Sequence, residues 1–244
     1  PIIREALYSD SSNLFSESGL NLDQDGIWED LGDIEFSVEK EEESFKKIKT
    51  FVKDILASDQ KLVSLGGDHS VSWPILDAHL DAWDTLDILH IDAHPDLYDS
   101  LLGNKLSHAS PFARIMETGR ASRLVQVGIR TLNKHQREQA EKFGVEIYQM
   151  RNLKELSAMT FSNPVYCSID IDALDPAYAP GVSHFEPGGL STRQLIDCIN
   201  GFRGRLIGAD IVEYNPERDF HNLTAMVAAK LLKEVIARIY HDNS

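Results

Sequence analysis

Six short apolar runs punctuate this chain, at residues 61–65, 86–91, 124–129, 145–148, 164–169 and 206–212. They are continuous rather than alternating, so each reads as a strand buried on both faces. Helical patterns lie between them. Phe45, Ile48, Phe51, Val52, Ile55 and Leu56 form one stripe. Further helices are expected from about Val71, at 111–117, at 134–143, and from Ser191, with Gln194 as its capping-box partner. Leu223, Met226, Val227, Lys230, Leu231, Val235 and Ile239 mark a last helix with a core-facing stripe. Residues 1–7 also read as helix, and the charged run 39–49 as a solvated helix start. Strand–helix alternation of this kind gives an α/β fold, three layers α/β/α around a mainly parallel sheet. At 244 residues, 42% of them hydrophobic, one domain over 1–244 suffices.

In such sheets, ligands bind beyond the carboxyl ends of the strands. Every chemically suggestive motif here follows a strand: Gly66-Gly67-Asp68-His69, Asp92-Ala93-His94-Pro95-Asp96, Asp170-Ile171-Asp172 and Glu213. Residues two apart in an extended chain point to one side. Asp92, His94 and Asp96 can therefore converge, and so can Asp170 and Asp172. Four carboxylates in one crevice need compensating positive charge. The donor set of His69, Asp92, His94, Asp96, Asp170 and Asp172 is imidazole and carboxylate without thiolate, which suits Mn2+ or a similarly hard ion. Six ligands exceed what one catalytic zinc uses. Two ions sharing bridging carboxylates fit the count, and such a pair acidifies a water for hydrolysis.

Composition narrows the partners. A net charge of −15 and an acidic pI of about 4.9 disfavour nucleic acid and anionic membranes, and favour divalent metals or a cationic substrate. Cys167 and Cys198 fall in an apolar strand and an amphipathic helix, and are expected as a buried, reduced pair. No run is long enough to span a membrane and no signal or transit peptide is visible, so a cytoplasmic location is expected. The chain starts at Pro1, without Met and inside a helical pattern, so a preceding segment is expected. His79, His135, His221 and His241 read as surface or core residues. His90 has no assignment.

Together these motifs resemble the arginase/agmatinase (ureohydrolase) family. The matching pieces are Gly66-Gly67-Asp68-His69-Ser70, Asp92-Ala93-His94-Pro95-Asp96, Ser168-Ile169-Asp170-Ile171-Asp172-Ala173-Leu174-Asp175-Pro176 and Asp210-Ile211-Val212-Glu213-Tyr214-Asn215-Pro216. Ala179-Pro180-Gly181-Val182-Ser183-His184, Glu186-Pro187-Gly188-Gly189-Leu190-Ser191, Gly103-Asn104-Lys105 and 224–230 look closest to plant-type arginases. The resemblance implies an arginase-like fold whose first, interior strand would precede Pro1. It implies two Mn2+ per chain and hydrolysis of a guanidinium to urea and an amine, with L-arginine favoured over agmatine or another guanidino or formimidoyl substrate. His69, Asp92, Asp96 and Asp170 would hold one ion. Asp92, His94, Asp170 and Asp172 would hold the other, so that Asp92 and Asp170 bridge. Asp96 would accept a hydrogen bond from the attacking hydroxide, Glu213 would pair with the guanidinium, and His108 would protonate the leaving amine. A homo-oligomer, trimer or hexamer, is also implied.

The sequence departs from animal arginases in two places. Their Ser/Thr-rich loop, which recognises the amino-acid end of the substrate, is replaced here by residues 98–107. Asn104 and Ser107 are candidate contacts in it. His184 stands where those enzymes have small residues, and is a third candidate. Two readings outside the ureohydrolases compete. One is a single-zinc deacetylase on the same overall fold, which would not need all six ligands. The other is a non-catalytic metal-binding scaffold or inactive fragment, against which His108 and Glu213 beside the ligands argue.

Overall fold

Each apolar run forms a strand: β1 (Leu62–Leu65), β2 (Asp87–Ile91), β3 (Arg123–Ile129), β4 (Glu146–Gln149), β5 (Val165–Asp170) and β6 (Leu206–Val212). They pair in the order β1-β6-β5-β2-β3-β4, and every pairing is parallel. The computed structural model describes residues 1–36, 40–153 and 159–244. Seven helices connect the described strands or flank them: α1 (Ile2–Leu7), α2 (Glu41–Leu56), α3 (Ser72–Ala82), α4 (Pro111–Glu117), α5 (Lys134–Phe143), α6 (Thr192–Gly201) and α7 (Leu223–Asn243). The charged run does open α2, at Glu41, while Glu39 lies outside the described residues.

The strands carry apolar side chains on both faces because each face meets its own helical layer. Leu89, Ile91, Cys167, Ile169, Ala209 and Ile211 join one core with α1, α6 and α7. Their strand neighbours Ile88 and Tyr166 join a second core with α2, α3 and α4, as does Ile207, at the pairing irregularity where β6 begins beside β5. This period of two, with both halves apolar, is why the runs look continuous in sequence. Both cysteines are free and fully buried, as expected of a reduced pair.

Local signals set the helix ends. Ser191 and Gln194 form a reciprocal capping box at the start of α6. Asn133 caps α5, and Gly144 ends it in the left-handed conformation. His79 of α3 lies at 0% exposure, with Nδ1 2.9 Å from the Ile75 carbonyl. Its other nitrogen faces Gly208 of β6, where a Cβ would come within 2.7 Å. Glycine at 208 is what lets this helix sit so close to the sheet. Burial pushes the His79 imidazole down to about 4, so it is neutral in the folded protein near neutral pH.

Candidate active site

Four neighbouring strands, β1, β6, β5 and β2, end at the same edge of the sheet, and the expected ligands gather there. His69 follows β1 in a short 3-10 turn capped by Asp68. Gly66 permits the approach: a Cβ there would lie 2.7 Å from Val71 and 2.9 Å from Val212. His69 Nδ1 stands 3.2 Å from one carboxylate oxygen of each of Asp92, Asp96 and Asp170. His94 Nδ1 lies 3.0 Å from Asp172 and 3.5 Å from Asp92. All six residues therefore meet in one cluster with Asp92 in the middle. The cluster does not form by extended alternation, however. The chain bends after Ile91, and Asp96 turns inward through a left-handed backbone at φ +49°. Asp170 ends β5, and Asp172 reaches the site from the 3-10 turn Ile171–Ala173.

The chemistry of this cluster fits bound cations. His69 Nδ1 is fully buried and has no hydrogen-bond partner, although three carboxylates surround it. Ligand atoms of Asp92, His94 and Asp172 lie within 4.8 Å of one another, and so do those of His69, His90 and Asp92. Burial lifts the Asp96 carboxyl to about 6, and the adjacent Asp92 charge adds to this. Burial likewise raises Asp170 and Asp172. Without added positive charge, these acids resist ionising together.

A second tier of side chains holds the first. His69 Nε2 lies 2.9 Å from the Ser168 hydroxyl, which donates to Asp210 at 2.6 Å, and Tyr166 donates to the same carboxylate at 2.8 Å. His90 Nε2 is 2.7 Å from Asp92, and its Nδ1 is 3.0 Å from the Gln126 side-chain nitrogen. Arg130 donates to the carbonyls of Asp172, Ala173, Leu174 and Glu186, which joins the Asp172 turn to the loop after it. Gly128, at φ +94°, sits at an irregularity in the β3–β4 pairing, 2.9 Å from the Asp92 carbonyl when a Cβ is placed on it. Gln126 and Arg130 carry no motif that marks them in sequence, whereas Asp210 opens the Asp210–Pro216 motif.

The remaining expected residues divide. His184 is exposed and lies between two other imidazoles, with its ring 5.9 Å from that of His94 and stacked on that of His108 at 5.7 Å. Its loop is held by the segment after β6, through Asn215 to Ser183 at 3.0 Å and Arg218 to the Ser183 carbonyl at 2.9 Å. Glu213, at φ +65°, accepts the His69 backbone N–H at 2.9 Å. Burial lifts it to about 7 against that hydrogen bond. Asn104 bonds to Glu41 and to the Leu106 N–H, and the buried Ser107 hydroxyl lies 3.0 Å from that of Ser110. These two side chains are engaged with their own surroundings rather than with the cluster.

A family model described as "Arginase family" matches residues 2–237. The chain belongs to the arginase family. It is 45% identical over 254 residues to "Arginase 2, chloroplastic/mitochondrial" of Arabidopsis thaliana, covering 98% of this chain and 74% of that one. The solved arginase of Medicago truncatula superposes with a TM-score of 0.92 at 44% identity, over 98% of this chain and 80% of that chain. An agmatinase of Bacillus cereus is 35% identical over 213 residues, 85% of this chain and 73% of its own. The arginase-family fold thus brings the strand ends together, and this member is a hydrolase of the ureohydrolase type. Among the described residues no helix is long and apolar enough to cross a membrane.

Proposed function

We propose that this chain hydrolyses L-arginine to L-ornithine and urea at a centre of two Mn2+. The observation that carries this reading is the unpartnered His69 nitrogen, ringed at 3.2 Å by oxygens of Asp92, Asp96 and Asp170. His69, Asp92, Asp96 and Asp170 would hold one ion, and Asp92, His94, Asp170 and Asp172 the other. When bound, such a pair supplies a water acidic enough to attack near neutral pH. Asp96 would accept a hydrogen bond from that water. Glu213 has one oxygen on the His69 N–H, and the other is left for the planar N–H fork of a guanidinium. His108 gives its proton to the leaving amine nitrogen as the C–N bond breaks. His184, stacked on His108 and next to His94, would border the bound substrate. The substrate's far end meets the loop that contains Asn104 and Ser107.

Arginine is preferred over agmatine because the similarity to plant arginases is higher and covers more of the chain than that to agmatinase. The working assembly is a homo-oligomer, a trimer or a hexamer. Urea release should be measured with arginine and with agmatine, before and after chelation and with Mn2+ restored. Urea from arginine that vanishes on chelation and returns with Mn2+ supports the reading. A protein holding one tight zinc, or one releasing urea only from agmatine, overturns it.

A further inference from the structure

We propose that His90 and Gln126 form a hydrogen-bond chain that holds Asp92 in its metal-binding orientation. His90 is thereby a positioning residue rather than a ligand. The inference rests on the reading that Asp92 binds metal. Gln126 Nε2 lies 2.6 Å from the Pro95 carbonyl oxygen. A carbonyl can only accept, so this atom is the amide nitrogen, and the side-chain orientation is fixed. The same nitrogen lies 3.0 Å from His90 Nδ1. That ring nitrogen therefore meets a donor and must present its lone pair. The ring is neutral and carries its single hydrogen on Nε2, which lies 2.7 Å from Asp92 Oδ2. The other oxygen of Asp92 accepts the His94 backbone N–H at 2.6 Å. Asp92 is thus gripped at both oxygens.

The chain is rigid. His90, Asp92 and Gln126 are all at 0% exposure, and the His90 ring lies stacked on Phe112 with 3.8 Å between centroids. By distance alone, His90 belongs with His69 and Asp92 among groups able to hold an ion. The hydrogen count removes it, because neither ring nitrogen keeps a free lone pair. Outer partners of this sort fix the rotation of a ligand, and their loss typically lowers metal affinity about 10–100-fold.

Calorimetric titration of the metal-free protein with Mn2+, with thermal unfolding of the same samples, tests the chain. His90→Phe keeps the ring shape and the stacking but donates nothing. It should weaken Mn2+ binding about 10–100-fold with the number of ions unchanged. His90→Gln restores an N–H and should recover most of that loss, which a purely structural role for the ring would not do. Gln126→Glu places an acceptor opposite Nδ1, draws the hydrogen away from Asp92 and should weaken binding with His90 intact. This variant carries the test if His90→Phe does not fold. Unchanged affinity in His90→Phe or Gln126→Glu, beside a wild type that binds Mn2+, overturns this inference alone. Fewer ions bound by His90→Phe makes His90 a ligand and also overturns it. A wild type that binds no Mn2+ overturns the metal reading and this inference with it.

Discussion

At Glu213, charge and shape can be separated. Its carboxylate supports the His69 turn through one oxygen, and a glutamine carbonyl can accept the same N–H. Glu213→Gln should therefore keep the ligand turn while removing the anion proposed to face the guanidinium. Leaving a buried cation unpaired costs on the order of 2–5 kcal/mol, so kcat/KM for arginine should fall roughly 30-fold or more with metal content unchanged. Equal kcat/KM in the two proteins would refute the role. His108→Asn should lower turnover by about 100-fold, again without loss of metal. Loss of metal there would make His108 a ligand. All six proposed ligands stand out in sequence, since acids and imidazoles rarely cluster where buried strands end. His90, Gln126 and Arg130 do not stand out. Arg130 and Gln126 find their partners, backbone carbonyls and the His90 ring, in other segments that no spacing rule encodes, and the two-residue spacing from His90 to Asp92 does not by itself separate a supporting imidazole from a ligand.

Among the elements, β3 and α3 each depend on one glycine contact. Gly128 of β3 combines a left-handed φ of +94° with close approach to the Asp92 carbonyl. Gly128→Ala should cost about 1–3 kcal/mol through backbone strain. It should also displace Asp92, so that Mn2+ affinity falls along with the urea-denaturation midpoint. An unchanged affinity would show that the irregularity in β3 does not reach the site. Against Gly208, the neutral His79 makes α3 sensitive to acid. Its folded pKa of about 4 lies below the unfolded value near 6.5. Its contribution is therefore complete above about pH 6.5 and is lost as pH falls through the window to about 4, on the order of 3 kcal/mol in all. In metal-free samples compared by urea denaturation, wild type should lose stability relative to His79→Leu across that window. Parallel curves for the two would overturn the assignment. The alternation of elements and the strand boundaries are legible in the apolar periodicity, whereas the ends of α3 and α6 and the 3-10 turns that carry His69 and Asp172 are not. The order β1-β6-β5-β2-β3-β4 is not, because parallel strands of similar composition can neighbour one another in many arrangements.

Over the whole molecule, the site works against the fold when no cation is bound. Net charge is already −15, and Asp96, Asp170 and Asp172 are buried with raised pKa values. A carboxyl that holds its proton more tightly when folded stabilises the fold at low pH, and that benefit is lost as pH rises from about 3.8 through the folded value, about 6 for Asp96. Metal binding needs these groups deprotonated, so affinity should move the opposite way. The rise in Tm caused by Mn2+ should accordingly widen from pH 5 to pH 7, as differential scanning calorimetry can show. A constant or shrinking gap would indicate that the cluster does not exchange protons for metal.

The left-handed backbones of Asp96 and Glu213 bear on how such a protein ages in evolution. An L-residue in that conformation costs about 1–2 kcal/mol, less for aspartate than for glutamate, while glycine adopts it freely. Glycine would also remove a carboxylate, buried at Asp96 and half-buried at Glu213. Once a lineage no longer needs the reaction, mutation of Asp96 trades catalysis for sturdiness in a single step, whereas loss of Glu213 also strips the His69 N–H of its acceptor. Retired copies of this gene should then keep the sheet and lose Asp96 first, and they should outlast the working enzyme on heating.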